Sequence, residues 1–276
     1  MSKIRPFVKW AGGKRQIIDK LISYAPKKFN KYYEPFIGGG AFLFELEPKT
    51  AVINDYNTEL INVYKCFSDE SKYKKKLSLL DEYEEKHCKE FYYEIRNIDR
   101  DKDNYNNLSN IEKAARTIYL NKSCFNGLYR VNSKNEFNVP FNQKKKVNTY
   151  DKENIVAINQ YFNNNQITIL NGDFEYSVKD AKKRDFIYFD PPYDSDSDTF
   201  TSYTDNGFNK EDQVRLSKLF KKLDKKGCYV MLSNHNTKLI NKLYKDYNIY
   251  VIEAKRNINA NGSGRGKIEE VIITNY

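Results

Sequence analysis

The chain has 276 residues, enough to bury a sheet-centred core with a smaller unit beside it. Its 47 Lys and Arg against 37 Asp and Glu give a net charge of +10, which fits a polyanionic partner or, more plainly, a lysine-rich solvated surface. No apolar run approaches the ~20 residues that span a bilayer, and Met1-Ser2-Lys3-Ile4-Arg5 opens no apolar signal region, so a cytoplasmic location with no membrane partner is expected. The cysteines, Cys66, Cys88, Cys124 and Cys228, form no Cys-x-x-Cys pair, and the histidines are only His87 and His235. Reduced structural cysteines and no metal site are therefore expected.

Taken in order, Tyr32-Tyr33-Glu34-Pro35-Phe36-Ile37 reads as a strand running into Gly38-Gly39-Gly40, and Ala41-Phe42-Leu43-Phe44-Glu45-Leu46 as a short helix. Strand, glycine loop and helix let a ligand approach the backbone closely at a helix start. The spacing is neither Gly-x-Gly-x-x-Gly nor a Gly-Lys-Ser/Thr loop, so the standard dinucleotide and nucleotide-triphosphate fingerprints are excluded. Ala51-Val52-Ile53-Asn54 is a second strand ending at Asp55, where an acid commonly meets ribose hydroxyls. From residue 59 to 150 the character changes. A helix opens at Leu60-Ile61-Asn62-Val63-Tyr64, charged helices follow around Lys72 to Lys89, and another runs from Ile111 to Leu120. Tyr129-Arg130-Val131-Asn132, the polar turn Ser133-Lys134-Asn135 and Glu136-Phe137-Asn138-Val139 read as a β-hairpin, with Lys144-Lys145-Lys146 as a solvated loop beyond it.

The α/β alternation resumes with the strand Ile167-Thr168-Ile169-Leu170, ending at Gly172-Asp173-Phe174. Phe186-Ile187-Tyr188-Phe189 has no polar alternation and reads as a fully buried strand that ends in Asp190-Pro191-Pro192-Tyr193. The prolines stiffen that turn and remove two donors. Carboxylate and carbonyl acceptors beside an aromatic face suit a planar group with an exocyclic NH2, such as the edge of adenine. Alone, the tetrapeptide fits a tight surface turn equally well. The polar stretch from Asp194 to Gly207, carrying Phe200 and Tyr203, is placed to act as a lid. A helix from Lys210, capped by Asn209 and stopped by Gly227, carries Leu216, Leu219, Phe220 and Leu223 as its core face. Cys228–Leu232, Ile249–Ile252 and Val271–Ile273 complete the expected sheet.

Several of these stretches occur together and in one order: Pro6-Phe7-Val8-Lys9-Trp10-Ala11-Gly12-Gly13-Lys14, Glu34-Pro35-Phe36-Ile37-Gly38-Gly39-Gly40, Asn54-Asp55, Phe125-Asn126-Gly127-Leu128-Tyr129-Arg130, Glu136-Phe137-Asn138-Val139-Pro140-Phe141, Gly172-Asp173, Asp190-Pro191-Pro192-Tyr193, Phe200-Thr201-Ser202-Tyr203 and Ser233-Asn234-His235. In this the chain resembles the Dam-type (D12 class, alpha group) DNA adenine-N6 methyltransferases, over almost its whole length. The resemblance implies an α/β, Rossmann-like methyltransferase sheet built from residues 1–58 and 151–276. Residues 59–150 would be an inserted, mainly helical target-recognition domain carrying the hairpin.

It further implies S-adenosylmethionine as cofactor, double-stranded DNA as partner and GATC as the site, with a restriction endonuclease as a candidate companion. Asp190, Pro191, Pro192 and Tyr193 would be catalytic: the Asp190 carboxylate and the Pro191 carbonyl accept hydrogen bonds from the adenine amine, and Tyr193 stacks on the flipped base. Trp10, Lys14, Gly38, Gly39, Gly40, Asp55, Asp173, Phe174 and Asp190 would surround the cofactor. Trp10 could instead anchor the core, Lys14 lie on the surface, and Asp173 cap a helix. Lys9, Phe125, Asn126, Leu128, Arg130, Asn132 and Pro140 would face DNA, Arg130 reading a guanine or holding a phosphate. Asn142-Gln143-Lys144 stands where a Gly-Arg-Tyr stretch is common in the family. The competing readings are the same fold acting on cytosine N4 or another amide, or a catalytically idle DNA-binding module. Asp rather than Ser or Asn before Pro-Pro-Tyr favours adenine.

Overall fold

The computed structural model describes residues 3–195, 207–255 and 267–276. A seven-stranded sheet organises them: β1 (Tyr32–Glu34), β2 (Thr50–Asp55), β3 (Gln166–Asn171), β4 (Phe186–Phe189), β5 (Tyr229–His235), β6 (Asn248–Lys255) and β7 (Lys267–Thr274). Their order is β3-β2-β1-β4-β5-β7-β6. The first five are parallel, and β7 is antiparallel to both its neighbours. The chain begins at the centre, works outward to β3, then returns to the other side of β1. The order reverses between β1 and β4, and in such sheets the crevice for ligands lies at the carboxyl ends of the strands flanking that point.

The central strands are aromatic because both their faces are covered. Tyr32, Phe186 and Tyr188 enter one apolar cluster with Phe42, Phe44, Tyr64 and Phe67. Tyr33, Ile187 and Phe189 enter the other, with Leu216, Phe220, Leu223 and Val230. Alternate residues thus serve opposite faces, and each such burial contributes about 1.5–3 kcal/mol. That packing holds β4 straight up to a turn that has few donors of its own.

The strand expected over 32–37 stops at Glu34. Pro35 has no N–H to continue the ladder, and the chain bends so that Ile37 N donates to the Asn54 carbonyl at 2.8 Å. The helix Lys210–Lys225 has its Asn209 cap, reciprocated by Asp212, and Gly227 follows at φ +77°. Helices at Ile18–Tyr24, Lys152–Asn164 and Lys238–Leu243 went unpredicted, the first and last being short. Most of the loop Asp194–Gly207, with Phe200 and Tyr203, lies outside the described residues.

Between β2 and β3 run the helices Thr58–Phe67, Glu70–Glu85, Lys89–Asn97, Lys102–Asn107 and Asn110–Ser123, the last opened by a Ser109/Glu112 capping box. Their apolar faces join the cluster beneath the sheet: Tyr64, Phe67 and Tyr119, with Phe137 of the following hairpin, belong to one cluster with Tyr32 and Phe44. The hairpin beyond them is short. Its arms meet at one bridge, Val131 with Phe137, flanked by Asn132 N to the Glu136 carbonyl at 2.9 Å and Asn138 N to the Arg130 carbonyl at 3.0 Å. A buried charge cluster anchors it. The Asp99 carboxylate accepts from Phe137 N at 2.8 Å, pairs with Arg116 at 2.7 Å, and pairs with Arg100, whose guanidinium also donates to the Phe137 carbonyl. On the helix Glu70–Glu85, Lys76 is fully buried; its side-chain nitrogen has no hydrogen-bond partner and sits 3.0 Å from the Phe67 ring centroid. No helix among the described residues is long and apolar enough to cross a membrane.

Candidate active site at the strand-order reversal

Asp190 follows β4 directly, at the reversal. Its Oδ1 accepts from Lys14 Nζ at 2.8 Å and from Ser233 Oγ at 2.9 Å, and Ser233 Oγ in turn lies 2.9 Å from the Tyr188 hydroxyl. Lys14 also donates to the Gly12 carbonyl at 2.7 Å, and its ammonium lies 4.5 Å from the Tyr193 ring centroid. The Tyr193 hydroxyl donates to Glu270 at 3.2 Å, and its ring meets His235 edge-on at 4.8 Å. Glu270 reaches this place because antiparallel pairing sets it opposite His235.

A second carboxyl, Glu34, ends the adjacent strand β1 and is buried, bonded to the Tyr32 hydroxyl at 2.8 Å. Burial pushes it well above the usual carboxylate range, and the Asp190 charge adds to the effect. Burial also raises Asp190, but there the Lys14 ammonium and the Ser233 hydroxyl pull back. The cation thus favours charge on Asp190, and no cation among the described residues pairs with Glu34.

The cradle beside it is made of backbone. Gly38 and Gly40 have φ of +48° and +73°. A Cβ on Gly40 would lie 2.6 Å from the Tyr64 hydroxyl, and one on Gly38 3.1 Å from Trp10. Asp55, at the end of β2, accepts from Gly38 N at 3.0 Å and Asn57 N at 2.9 Å, so the acid also fastens the glycine loop. Asn54 ties the loop's root to the end of β3 by donating to the Pro35 and Gly172 carbonyls, each at 2.9 Å. Phe36 stacks on Phe174 at 5.3 Å, with Phe208 alongside. Asp173 caps the short helix after it and pairs with Arg215 at 2.7 Å, so the capping alternative is realised. A glycine loop packed tightly on Trp10 and Tyr64, acids at the ends of β2 and β3, and a phenylalanine pair between them fit a nucleoside-bearing group. Trp10 lies against Gly38 on one side and stacks on Tyr129 at 5.0 Å on the other, joining the cradle to the hairpin's root.

The residues expected at DNA form a second group. Asn121 binds the backbone of Lys9 from both sides, at 2.9 and 2.8 Å, and donates to the Gly127 carbonyl at 3.0 Å. The Lys9 stem lies directly over Gly127, where a Cβ would meet it at 2.5 Å. Lys9, Phe125 and Asn126 are thus exposed together, Phe125 at 52% and Asn126 with φ +56°. Pro140 adjoins them through Phe125 N to its carbonyl at 2.8 Å, while Leu128 is half-buried. Arg130 is exposed and lies along the hairpin, donating to Asn138 Oδ1 at 2.6 Å. Asn132 differs from the others. Its side chain accepts from Lys134 N and Glu136 N and donates to Glu136, which spends it on the turn.

The sequence reading missed Glu34, Tyr188, Ser233, Asn121 and Gln213 as contributors. For Gln213 a signal existed: it is a polar residue on the stripe Leu216, Phe220, Leu223 that faces the core. Ser233 stands in the stretch Ser233-Asn234-His235 that the family resemblance already marks; for Tyr188 there is no signal, because a buried hydroxyl in a strand is ordinary.

The sequence has known relatives. The family described as D12 class N6 adenine-specific DNA methyltransferase matches residues 10–258. The type II methyltransferase M1.LlaDCHI of Lactococcus lactis subsp. cremoris is 51% identical, covering 99% of this chain and 96% of that protein. M.MjaIII of Methanocaldococcus jannaschii is 42% identical over 99% and 100% of the two chains, and the DNA adenine methylase of Escherichia coli K12 is 30% identical over 99% and 95%. The chain belongs to the D12 class. It is a site-specific DNA methyltransferase that acts on adenine and uses a methyl donor.

Proposed function

We propose that the methyl donor is S-adenosylmethionine, and that the enzyme modifies N6 of adenine within GATC in duplex DNA, with the target base turned out of the helix. The carrying observation is the Asp190 turn: a carboxylate paired with Lys14 and Ser233, next to a Pro191 carbonyl that has no hydrogen bond among the described residues. S-adenosylmethionine, when bound, supplies an electrophilic methyl group. The chain's own residues do the rest. Asp190 and the Pro191 carbonyl accept hydrogen bonds from the adenine amine, whose lone pair is otherwise delocalised into the ring. Those bonds draw the nitrogen toward tetrahedral geometry and aim its lone pair. Orientation and fixed dipoles are the main source of acceleration. Tyr193 offers the base a ring face. Asp55 takes the ribose hydroxyls, Gly38–Gly40, Trp10 and Lys14 take the methionine end, and Asp173 and Phe174 flank the adenine.

In this reading residues 1–58 and 151–276 form the catalytic domain and residues 59–150 the target-recognition domain. Lys9, Phe125, Asn126, Leu128, Arg130 and Pro140 meet DNA, and Asn132 shapes their hairpin. The type II names of two relatives support a restriction endonuclease as companion, and DNA as substrate supports a cytoplasmic location. The test is to express the chain in a host lacking adenine methylation and sequence the methylome. N6-methyladenine at GATC is expected; modification at other sites would remove the GATC assignment.

A further inference from the structure

We propose that Gln213 is a positioning residue for methyl transfer, holding the Pro192 carbonyl so that the Pro191 carbonyl is the turn's acceptor. The inference rests on the reading of Asp190 and Pro191 as the paired acceptors. Two prolines leave the turn with adjacent carbonyls and no N–H between Asp190 and Tyr193. Gln213 Nε2 donates to the Pro192 carbonyl at 2.9 Å, and nothing among the described residues donates to that of Pro191.

The amide's orientation is fixed from outside. Asn234 Oδ1 accepts two backbone donors, Asp194 N at 2.8 Å and His235 N at 2.9 Å. Its amide nitrogen must then face Gln213, donating to Oε1 at 3.2 Å. Gln213 is left with one arrangement: oxygen toward Asn234, nitrogen toward Pro192. The circuit begins at Asp194 and ends at Pro192, so the helix Lys210–Lys225 and β5 clamp the far side of the turn. Lys14 and Ser233 hold its near side. Gln213 and Asn234 are 1% and 0% exposed. A leucine would complete the stripe of Leu216, Phe220 and Leu223, and a buried amide persists there only with all its partners satisfied.

Two variants test this. In Gln213→Glu the side chain keeps its shape. Ionised, it turns an acceptor toward the Pro192 carbonyl; protonated, it can donate again. Burial and an acceptor neighbour both raise the pKa of such an acid. The charged and titratable groups around the turn are Asp190 with Lys14, Asp194 held by Thr237, His235, Glu270, and on the helix itself Glu211, Asp212 and Arg215. They remain in the wild type, so the readout is the ratio of variant to wild-type kcat at each pH. That ratio is expected to fall about tenfold near pH ~8.5, one hydrogen bond's worth, and to recover toward unity near pH ~6. Gln213→Met should stay about tenfold low at every pH, with KM for S-adenosylmethionine and DNA within about threefold. If Gln213→Glu does not fold, Gln213→Met decides. A kcat within about twofold of wild type, or a loss accompanied by an equal fall in cofactor affinity, overturns the proposal. Asp190→Ala runs beside them: if it is inactive while Gln213→Met is normal, only this inference fails, and if it is active the underlying reading fails.

Discussion

Lys14, from the segment before β1, and Asp190, from the turn after β4, meet as an ion pair, 2.8 Å from Nζ to Oδ1, with the ammonium also over the Tyr193 ring. The pair makes the turn's charge state a property of two segments. Burial raises the Asp190 carboxyl, and Lys14 is the largest influence opposing it. In the proposed mechanism Asp190 works as the carboxylate, so activity falls as pH drops through its raised pKa. Lys14→Met removes the opposing cation and should move that acidic limb upward. The measurement is kcat/KM against pH for both proteins; coincident limbs would separate Lys14 from Asp190's ionisation.

Asp55 is half-buried at the end of β2 and fastens the glycine loop through Gly38 N and Asn57 N; the proposed ribose contact would add to that. Asp55→Ala should weaken S-adenosylmethionine binding by about 10- to 150-fold, the equivalent of ~1.5–3 kcal/mol for charged hydrogen bonds. Titration calorimetry on the folded variant checks it, and unchanged affinity would contradict the ribose role.

Arg130 lies exposed on the hairpin, donating from Nε to Asn138 Oδ1 at 2.6 Å and from Nη2 to the Asn138 carbonyl at 3.3 Å. If it reads a guanine edge, Arg130→Ala should cost about 1–3 kcal/mol on the cognate duplex and much less on a duplex altered at that pair. Measuring kcat/KM on duplexes changed one pair at a time separates this from a phosphate contact, which would lower every duplex alike and flatten the salt dependence.

Lys76 tests the core rather than the site. Burial holds its amine well below the usual lysine range, and no hydrogen bond compensates. The folded chain therefore binds fewer protons than the unfolded one between the lowered pKa and the ordinary lysine value, and stability rises with pH across that window. Lys76→Met should raise stability by about 1–3 kcal/mol at neutral pH and flatten that rise. Thermal melts across pH check both; a lower Tm at neutral pH would show that the amine is stabilising where it stands.

Much of this was legible before the fold was known, for identifiable reasons. β4 and its turn announce themselves because an unbroken aromatic run followed by Asp-Pro-Pro-Tyr has few structural uses. The helix after Asn209 was bounded correctly because its cap and its glycine stop are local chemistry. The end of β1 was misjudged by three residues because apolar Phe36 and Ile37 continue the pattern while Pro35 ends the ladder. The supports of Asp190 stayed hidden. Lys14, Ser233 and Tyr188 converge only through strand order, which no local pattern carries, and Lys14 was assigned to the cofactor side alone. Asn132 drew attention by its place on the hairpin, yet its amide is consumed by the turn.

The most direct test of the whole account is single-turnover methyl transfer by Asp190→Ala on a GATC duplex, with S-adenosylmethionine affinity measured on the same preparation. Loss of the transferring carboxylate should lower the chemical rate by a factor of about a thousand or more while cofactor affinity stays within about threefold, because the acceptor acts chiefly at the transition state. A chemical rate near that of the wild type would contradict the account and remove Asp190 from the mechanism.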